Sequence, residues 1–197
     1  MAIDAIRACL EVGSYTAVQT VVEPSLLQPG VLEQFLDYCN GLGVHEIMLL
    51  DAVAIGADRV AATLDETGRN RLADLHRQAV SDVAMPKVSS MAWLESPDCL
   101  GCQAGFTFLH ISAQGEAFPC DFVPTSFGNV FELGLAEVQH RMLRLLKWPS
   151  RACLALQLPK LYGEQPAQPL MWNQTQTILK NYAPGPLPGM LEYLDHA

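Results

Sequence analysis

GCQAGFTFLHISAQGEAFPCDFVPTSFGNVFE, residues 101–132, is the stretch that decides how this chain of 197 residues is read. Two short β-rich runs, residues 106–111 and 117–120, flank a turn containing Gly115, the pattern of a β-hairpin. Closing that hairpin carries Cys102 and Cys120 to the same end. Beyond Pro124, Phe127, Gly128 and Asn129 make a turn. Asn129 is placed to cap a helix, with Glu132 three residues on in the capping-box position. Leu135, Val138, Met142 and Leu145 give that helix an apolar face, and Pro149 stops it just before Cys153.

Outward from this core lies Cys99, spaced C-x-x-C from Cys102. Four of the six cysteines therefore fall between positions 99 and 153. Soft thiolates at a hairpin base and after the following helix can converge on one centre, and four thiolates suit a zinc ion or an iron–sulfur cluster. Zinc ribbons usually carry a second C-x-x-C, and none follows here, which tilts the choice toward iron–sulfur. Cys9 and Cys39 fall on apolar faces of predicted helices and are expected to be packing residues. The five histidines show no ligand spacing; His110, on the hairpin, is the one near the thiols.

The first half has a different rhythm. Ile3, Ile6, Cys9 and Leu10 recur at helical spacing up to Gly13, and a strand is expected at residues 16–22. After Glu23-Pro24, Pro29-Gly30 opens a helix with Leu32, Phe35, Leu36, Cys39 and Leu42 on one face, closed by Gly41 and Gly43. Residues 45–54 are nearly all apolar, as in a strand buried on both faces of a parallel sheet. A turn around Gly56 leads to a helix at 66–80, then a third strand at 87–94. Asp51, at the end of the central strand, either faces the catalytic end of a barrel or fixes a loop, and the second reading is favoured.

Such units imply parallel strands in a doubly wound sheet or in part of a (β/α) barrel. Three strands cannot close a barrel. The expectation is therefore an α/β chain that is the C-terminal part of a larger architecture, or one that borrows strands from a partner. The character changes near Ser96-Pro97, and from Tyr162 the chain is rich in Pro and Gln, with a short helix expected at 175–181 and a loop at 184–189.

Composition sets the exclusions. The chain carries 12 Lys plus Arg against 21 Asp plus Glu, a formal charge of −9, with half its residues hydrophobic. That balance, without a basic run, disfavours nucleic acid as a partner. The longest apolar stretch, interrupted by Asp51, is too short for a membrane span, and Asp4 and Arg7 stand where a signal peptide would have its apolar core. A cytoplasmic location is the expectation. No Ser-His-Asp set, phosphate loop or G-x-G-x-x-G is present.

Cys102, twelve residues, Gly115, four residues, Cys120, then Phe127-Gly-Asn-Val130 and a helix, closely resembles the SPASM domain at the C-terminus of radical SAM enzymes. The first half is similar to the later strands and helices of the partial radical SAM barrel. The resemblance implies an incomplete barrel segment of about three parallel strands at residues 1–95, a SPASM or twitch-like module of hairpin plus helix at 96–160, and a Pro-rich tail with a short helix at 161–197. It implies one auxiliary [4Fe-4S] cluster, with Cys102 and Cys120 as ligands, Cys153 as a third and Cys99 as a weaker fourth. The C-x-x-x-C-x-x-C motif of the SAM cluster and the Gly-Gly-Glu segment that holds SAM are absent. SAM and a second [4Fe-4S] cluster are thus expected only if the missing N-terminal half is supplied. The expected partner is a chain carrying that half, or a second copy covering the open sheet edge, with a peptide as the kind of substrate. A zinc-stabilised, non-catalytic interaction module is the alternative, and a metal-free α/β remnant a third.

Overall fold

A computed structural model describes residues 2–52, 63–82, 87–162 and 168–195. The chain divides into two compact units, residues 1–94 and 95–197. In the first, α1 (Ala2–Glu11), β1 (Ala17–Val22), α2 (Val31–Leu42), β2 (Glu46–Asp51), α3 (Glu66–Ala79), β3 (Lys87–Ser90) and α4 (Met91–Leu94) follow in order. Glycines punctuate the helices as expected. Gly43, at φ 81°, ends α2 and donates its N–H to the Asn40 carbonyl. The Asp65 carboxylate begins α3 by accepting the Gly68 N–H at 2.8 Å. The expected turn at Gly56 lies outside the described residues.

The three strands are parallel in the order β1-β2-β3. Ala17 pairs with Glu46 and Val22 with Asp51, and Glu46 pairs with Lys87 and Leu49 with Ser90. Parallel neighbours need crossover connections, and α2 and α3 lie within them. Side chains alternate across a strand. Val18, Val22, Ile47, Leu49 and Val88 therefore share one face, where Leu32, Leu36, Cys39 and Leu72 pack, with Ile6 at the margin. Burial on both faces was the expectation for β2. Instead, among the described residues the helices pack on one face. The other carries Gln19, Val21, Met48, Leu50 and Ser89, with Val21 53% exposed. Helices on both faces would define a doubly wound sheet; cover on one face is the arrangement that a segment of (β/α) barrel wall also has.

Two local expectations are corrected and one question left open by the sequence is answered. Residues 91–94 do not extend the third strand: the chain turns into α4 after Ser90, whose N–H is taken by His76 Nδ1 at 3.0 Å in place of a ladder partner. Cys9 is exposed, whereas Cys39 is buried as expected; α1 buries none of its residues, because Ile6 alone of its side chains packs at the core margin. Asp51 forms an ion pair with Arg69 at 3.0 Å, tying the end of β2 to the first turns of α3, as the loop-fixing reading requires.

The second unit contains β4 (His110–Ile111), β5 (Ala117–Phe118), α5 (Val130–Leu133), α6 (Leu135–Leu146), α7 (Leu154–Gln157), α8 (Pro159–Tyr162), α9 (Trp172–Leu179) and α10 (Gly189–Asp195). The hairpin is present but short: His110 pairs with Phe118 and Ile111 with Ala117. Residues 105–107 form a turn, because Phe106, Thr107 and Phe108 all donate their N–H groups to the Gln103 carbonyl. Gly115 stands at φ 88°, and a Cβ there would lie 2.4 Å from the Phe131 ring, so glycine is required on both counts. Residues 127–129 return beside β5, with Ala117 N–H to Gly128 O at 3.0 Å and Phe127 N–H to Ala117 O at 2.8 Å. Asn129 caps the next helix by accepting the Phe131 N–H. Gly134, at φ 78°, divides the expected single helix into α5 and α6. Val138, Met142 and Leu146 form the buried stripe of α6. No described helix is long and apolar enough to cross a membrane.

Candidate metal centre

Cys102 and Cys153 meet because residues 102 and 150 pair. The Cys102 N–H donates to the Ser150 carbonyl at 2.7 Å in an isolated antiparallel bridge. The approach is close: a Cβ on Gly101, which stands at φ 65°, would lie 2.5 Å from Ser150 O. From Ser150 the chain turns through Cys153, the residue preceding α7. The Leu154 N–H, at the open N-terminus of that short helix, points at Cys102 Sγ from 3.4 Å.

Electrostatics separates the thiols. Cys102 is 7% exposed. Its thiol is held below the usual cysteine range, first by a hydrogen bond from Cys153 and further by the N–H groups of Leu154 and Ala104, against the opposing effect of burial. Cys120 goes the other way and is pushed up to about 12, chiefly by burial, with the adjacent Asp121 carboxylate and the charge of Cys153 adding to the rise. Its Sγ donates to Asp121 Oδ1 at 3.1 Å and accepts the Phe122 N–H at 3.5 Å. Cys153 thus acts on both Cys102 and Cys120, and the three share one neighbourhood.

Cys99 stands apart. It is 3% exposed, burial pushes its thiol up, and its carbonyl accepts the Met190 N–H at 3.2 Å. It is not among the groups that shift Cys102 or Cys120. His110 lies on the hairpin with its ring 5.8 Å from that of Phe118 and belongs to that packing. Among the described residues, no group of three or more His, Cys, Asp and Glu side chains is arranged to hold a single metal ion.

The donor set nevertheless suits an iron–sulfur cluster in its chemistry. Soft thiols gather in a largely buried place, and backbone N–H groups already aim at two of the sulfurs, the kind of hydrogen bond that tunes cluster thiolates. A cluster body also spreads its ligands more widely than one ion does. Sequence reasoning missed the groups around the thiols. Ser150 Oγ accepts from Gln157 Nε2 at 2.7 Å and from the Ala152 N–H at 3.3 Å, and its hydroxyl hydrogen-bonds to the Tyr182 phenol. Tyr182 shares a small cavity with Cys102, Ser150 and Leu154. The Pro149 helix stop marks the Ser150 loop in the sequence; nothing there marks Tyr182.

Comparison with known proteins agrees on this region. Residues 102–154 match the SPASM family, an iron-sulfur cluster-binding domain. The match starts on Cys102 and ends one residue past Cys153. Residues 102–154 are therefore similar to a SPASM domain, which bears out the resemblance read from the cysteine spacing of that segment. Among solved structures the chain is similar to Streptococcus suis SuiB bound to S-adenosylmethionine, at 19% identity and a TM-score of 0.49, over 70% of this chain and 36% of that one. It is also similar to a second crystal structure of Streptococcus suis SuiB, at 17% identity and a TM-score of 0.48, over 70% of this chain and 37% of that one. The chain thus spans little more than a third of the length of these structures. No curated protein matches it in sequence.

Proposed function

We propose that this chain is the iron–sulfur-carrying C-terminal portion of a radical SAM/SPASM enzyme. On this reading Cys102, Cys120 and Cys153 bind one auxiliary [4Fe-4S] cluster, and Cys99 is the candidate for the fourth position. The observation that supports the reading is the meeting of Cys102 with Cys153 across the Ser150 bridge, inside the segment that matches the SPASM family. Bound there, the cluster supplies one-electron transfer or an anchoring point for substrate.

The protein's own residues prepare the site. Cys102 offers the most readily ionised of the shifted thiols, so it is the natural first ligand. The Leu154 N–H and the Phe122 N–H stabilise negative charge on Cys102 and Cys120 sulfur. Ligation requires Cys120 to give up a proton that burial makes it hold tightly, which makes loading favour alkaline conditions. The one-sided parallel sheet of the first unit serves as part of a barrel wall whose interior would receive SAM and a peptide substrate. The sequence contains no C-x-x-x-C-x-x-C. SAM cleavage therefore belongs to a segment or chain that carries that motif and the rest of the barrel, in the cytoplasm, whereas a second copy of this chain could serve only to cover the open sheet edge.

Anaerobic reconstitution with iron and sulfide, followed by metal analysis and EPR after reduction, tests the reading. The expected product is brown, with about four irons per chain and a reduced [4Fe-4S] signal. A colourless protein holding one zinc per chain would establish the zinc-stabilised interaction module instead.

A further inference from the structure

Beyond the last residue that matches the SPASM family, the chain returns to the thiols. Tyr182 is buried and shares the cavity that Cys102 lines. Downstream of it, the segment is tied on both sides to the loops that carry cysteines. On the 148–153 side, Trp148 Nε1 donates to Gly185 O at 2.8 Å, and Arg151 donates through Nε to Leu187 O at 2.6 Å and pairs with Glu192 at 2.9 Å. On the 97–102 side, the Gly189 N–H donates to Pro97 O at 2.8 Å and the Met190 N–H to Cys99 O. Pro188 packs so closely on Gly101 that a Cβ there would lie 2.5 Å away.

Pro184, Pro186 and Pro188 alternate along this segment. Each fixes its own φ, which lowers the entropy lost when the segment is held in one path. Five hydrogen bonds and a proline-stiffened course exceed what covering an apolar patch requires. They join two loops far apart in sequence, the two whose relative position decides whether Cys102 and Cys153 can bind together.

We propose that residues 182–192 form a strap that holds both cysteine-bearing loops in register for cluster binding, with Tyr182 closing the solvent route to Cys102. The proposal rests on the reading of residues 102–154 as a cluster-binding domain. Tyr182 is a positioning residue whose buried ring excludes water from the cavity it shares with Cys102 and Ser150. A cluster behind the strap is shielded from oxygen, and solvent exposure is one of the factors that set its potential.

The test begins with the metal-free full chain. Native-state alkylation by iodoacetamide is followed at Cys102 by peptide mass spectrometry. Tyr182→Ala is expected to raise the Cys102 rate several-fold, Tyr182→Phe to leave it at the wild-type value, and Arg151→Ala, which frees Leu187 and Glu192, to raise it less. Equal rates in wild type, Tyr182→Ala and Arg151→Ala overturn the proposal. If Tyr182→Ala unfolds, seen as loss of far-ultraviolet circular dichroism, the surface change Arg151→Ala decides. In the reconstituted protein, Tyr182→Ala is expected to shorten the cluster lifetime in air several-fold and to move its midpoint potential upward, because water favours the more highly charged reduced form; Tyr182→Phe restores both. A wild type that takes up no iron yet shows this alkylation pattern refutes the cluster reading and keeps the strap. Iron uptake with unchanged alkylation rates refutes the strap alone.

Discussion

The two units hold themselves together by different means. In the first, aliphatic side chains on one sheet face meet the apolar stripes of α2 and α3, and backbone ladders supply the order. In the second, the named strands are two residues long, and the shape is set by tight turns, glycines at positive φ and hydrogen bonds made by side chains. Glu116 illustrates this: its carboxylate is bound by Ser126 Oγ and by Asn129 Nδ2, joining the hairpin to the segment that returns beside it. The lesson is that a repetitive unit can build a wall, whereas an irregular one can aim backbone N–H groups at sulfur.

Breaking this contrast should have its largest effect at the thiols. Cys102→Ser or Cys120→Ser is expected to take bound iron to near background after reconstitution while the first unit keeps its helical circular dichroism; retained iron in both variants would remove these ligands. Next in size, Leu49→Ala empties a fully buried position in the sheet core and should lower stability by about 3 kcal/mol in urea titration. Iron bound per folded chain should stay the same. Gly115→Ala forces a Cβ onto Phe131 at φ 88° and should destabilise the second unit by about 2 kcal/mol, read as a separate shift of its unfolding transition. Asp51→Asn weakens a partly exposed ion pair and should change stability by about 1 kcal/mol or less.

A further effect concerns pH and is specific to the metal-free second unit. The folded Cys120 holds its proton more tightly than an unfolded cysteine does, so its contribution is complete below the ordinary thiol range and is lost as pH rises toward about 12. Metal-free protein should therefore lose stability over that alkaline interval, and Cys120→Ser should flatten the loss. An identical slope in the two proteins would contradict the assignment.

Much of the first unit could be read directly, because apolar residues at a period of 3.6 or 2 leave little choice of element. The errors there came from tertiary context. The apolar run beginning at His45 suggested a strand buried on both faces, but Met48 and Leu50 stand on the side that the described helices leave open. Cys9 shares the spacing of Ile6 and Leu10, yet α1 lies at the margin of the core and leaves it exposed. In the second unit the spacing of Cys102, Gly115 and Cys120 placed the hairpin, and Asn129 placed the cap. Periodicity could not foresee the break at Gly134, since a glycine inside an apolar helical pattern is compatible with a continuous helix.

The order of amino acids is enough to establish the parallel α/β rhythm, the thiol-rich hairpin and its resemblance to the SPASM domain, because those depend on local spacing and residue chemistry. Folding alone decides that Cys102 meets Cys153 through the Ser150 bridge, and that the Pro-rich tail brings Tyr182 back beside Cys102. Each of these depends on distances between residues far apart in the chain, which are set by packing and not by neighbours in sequence.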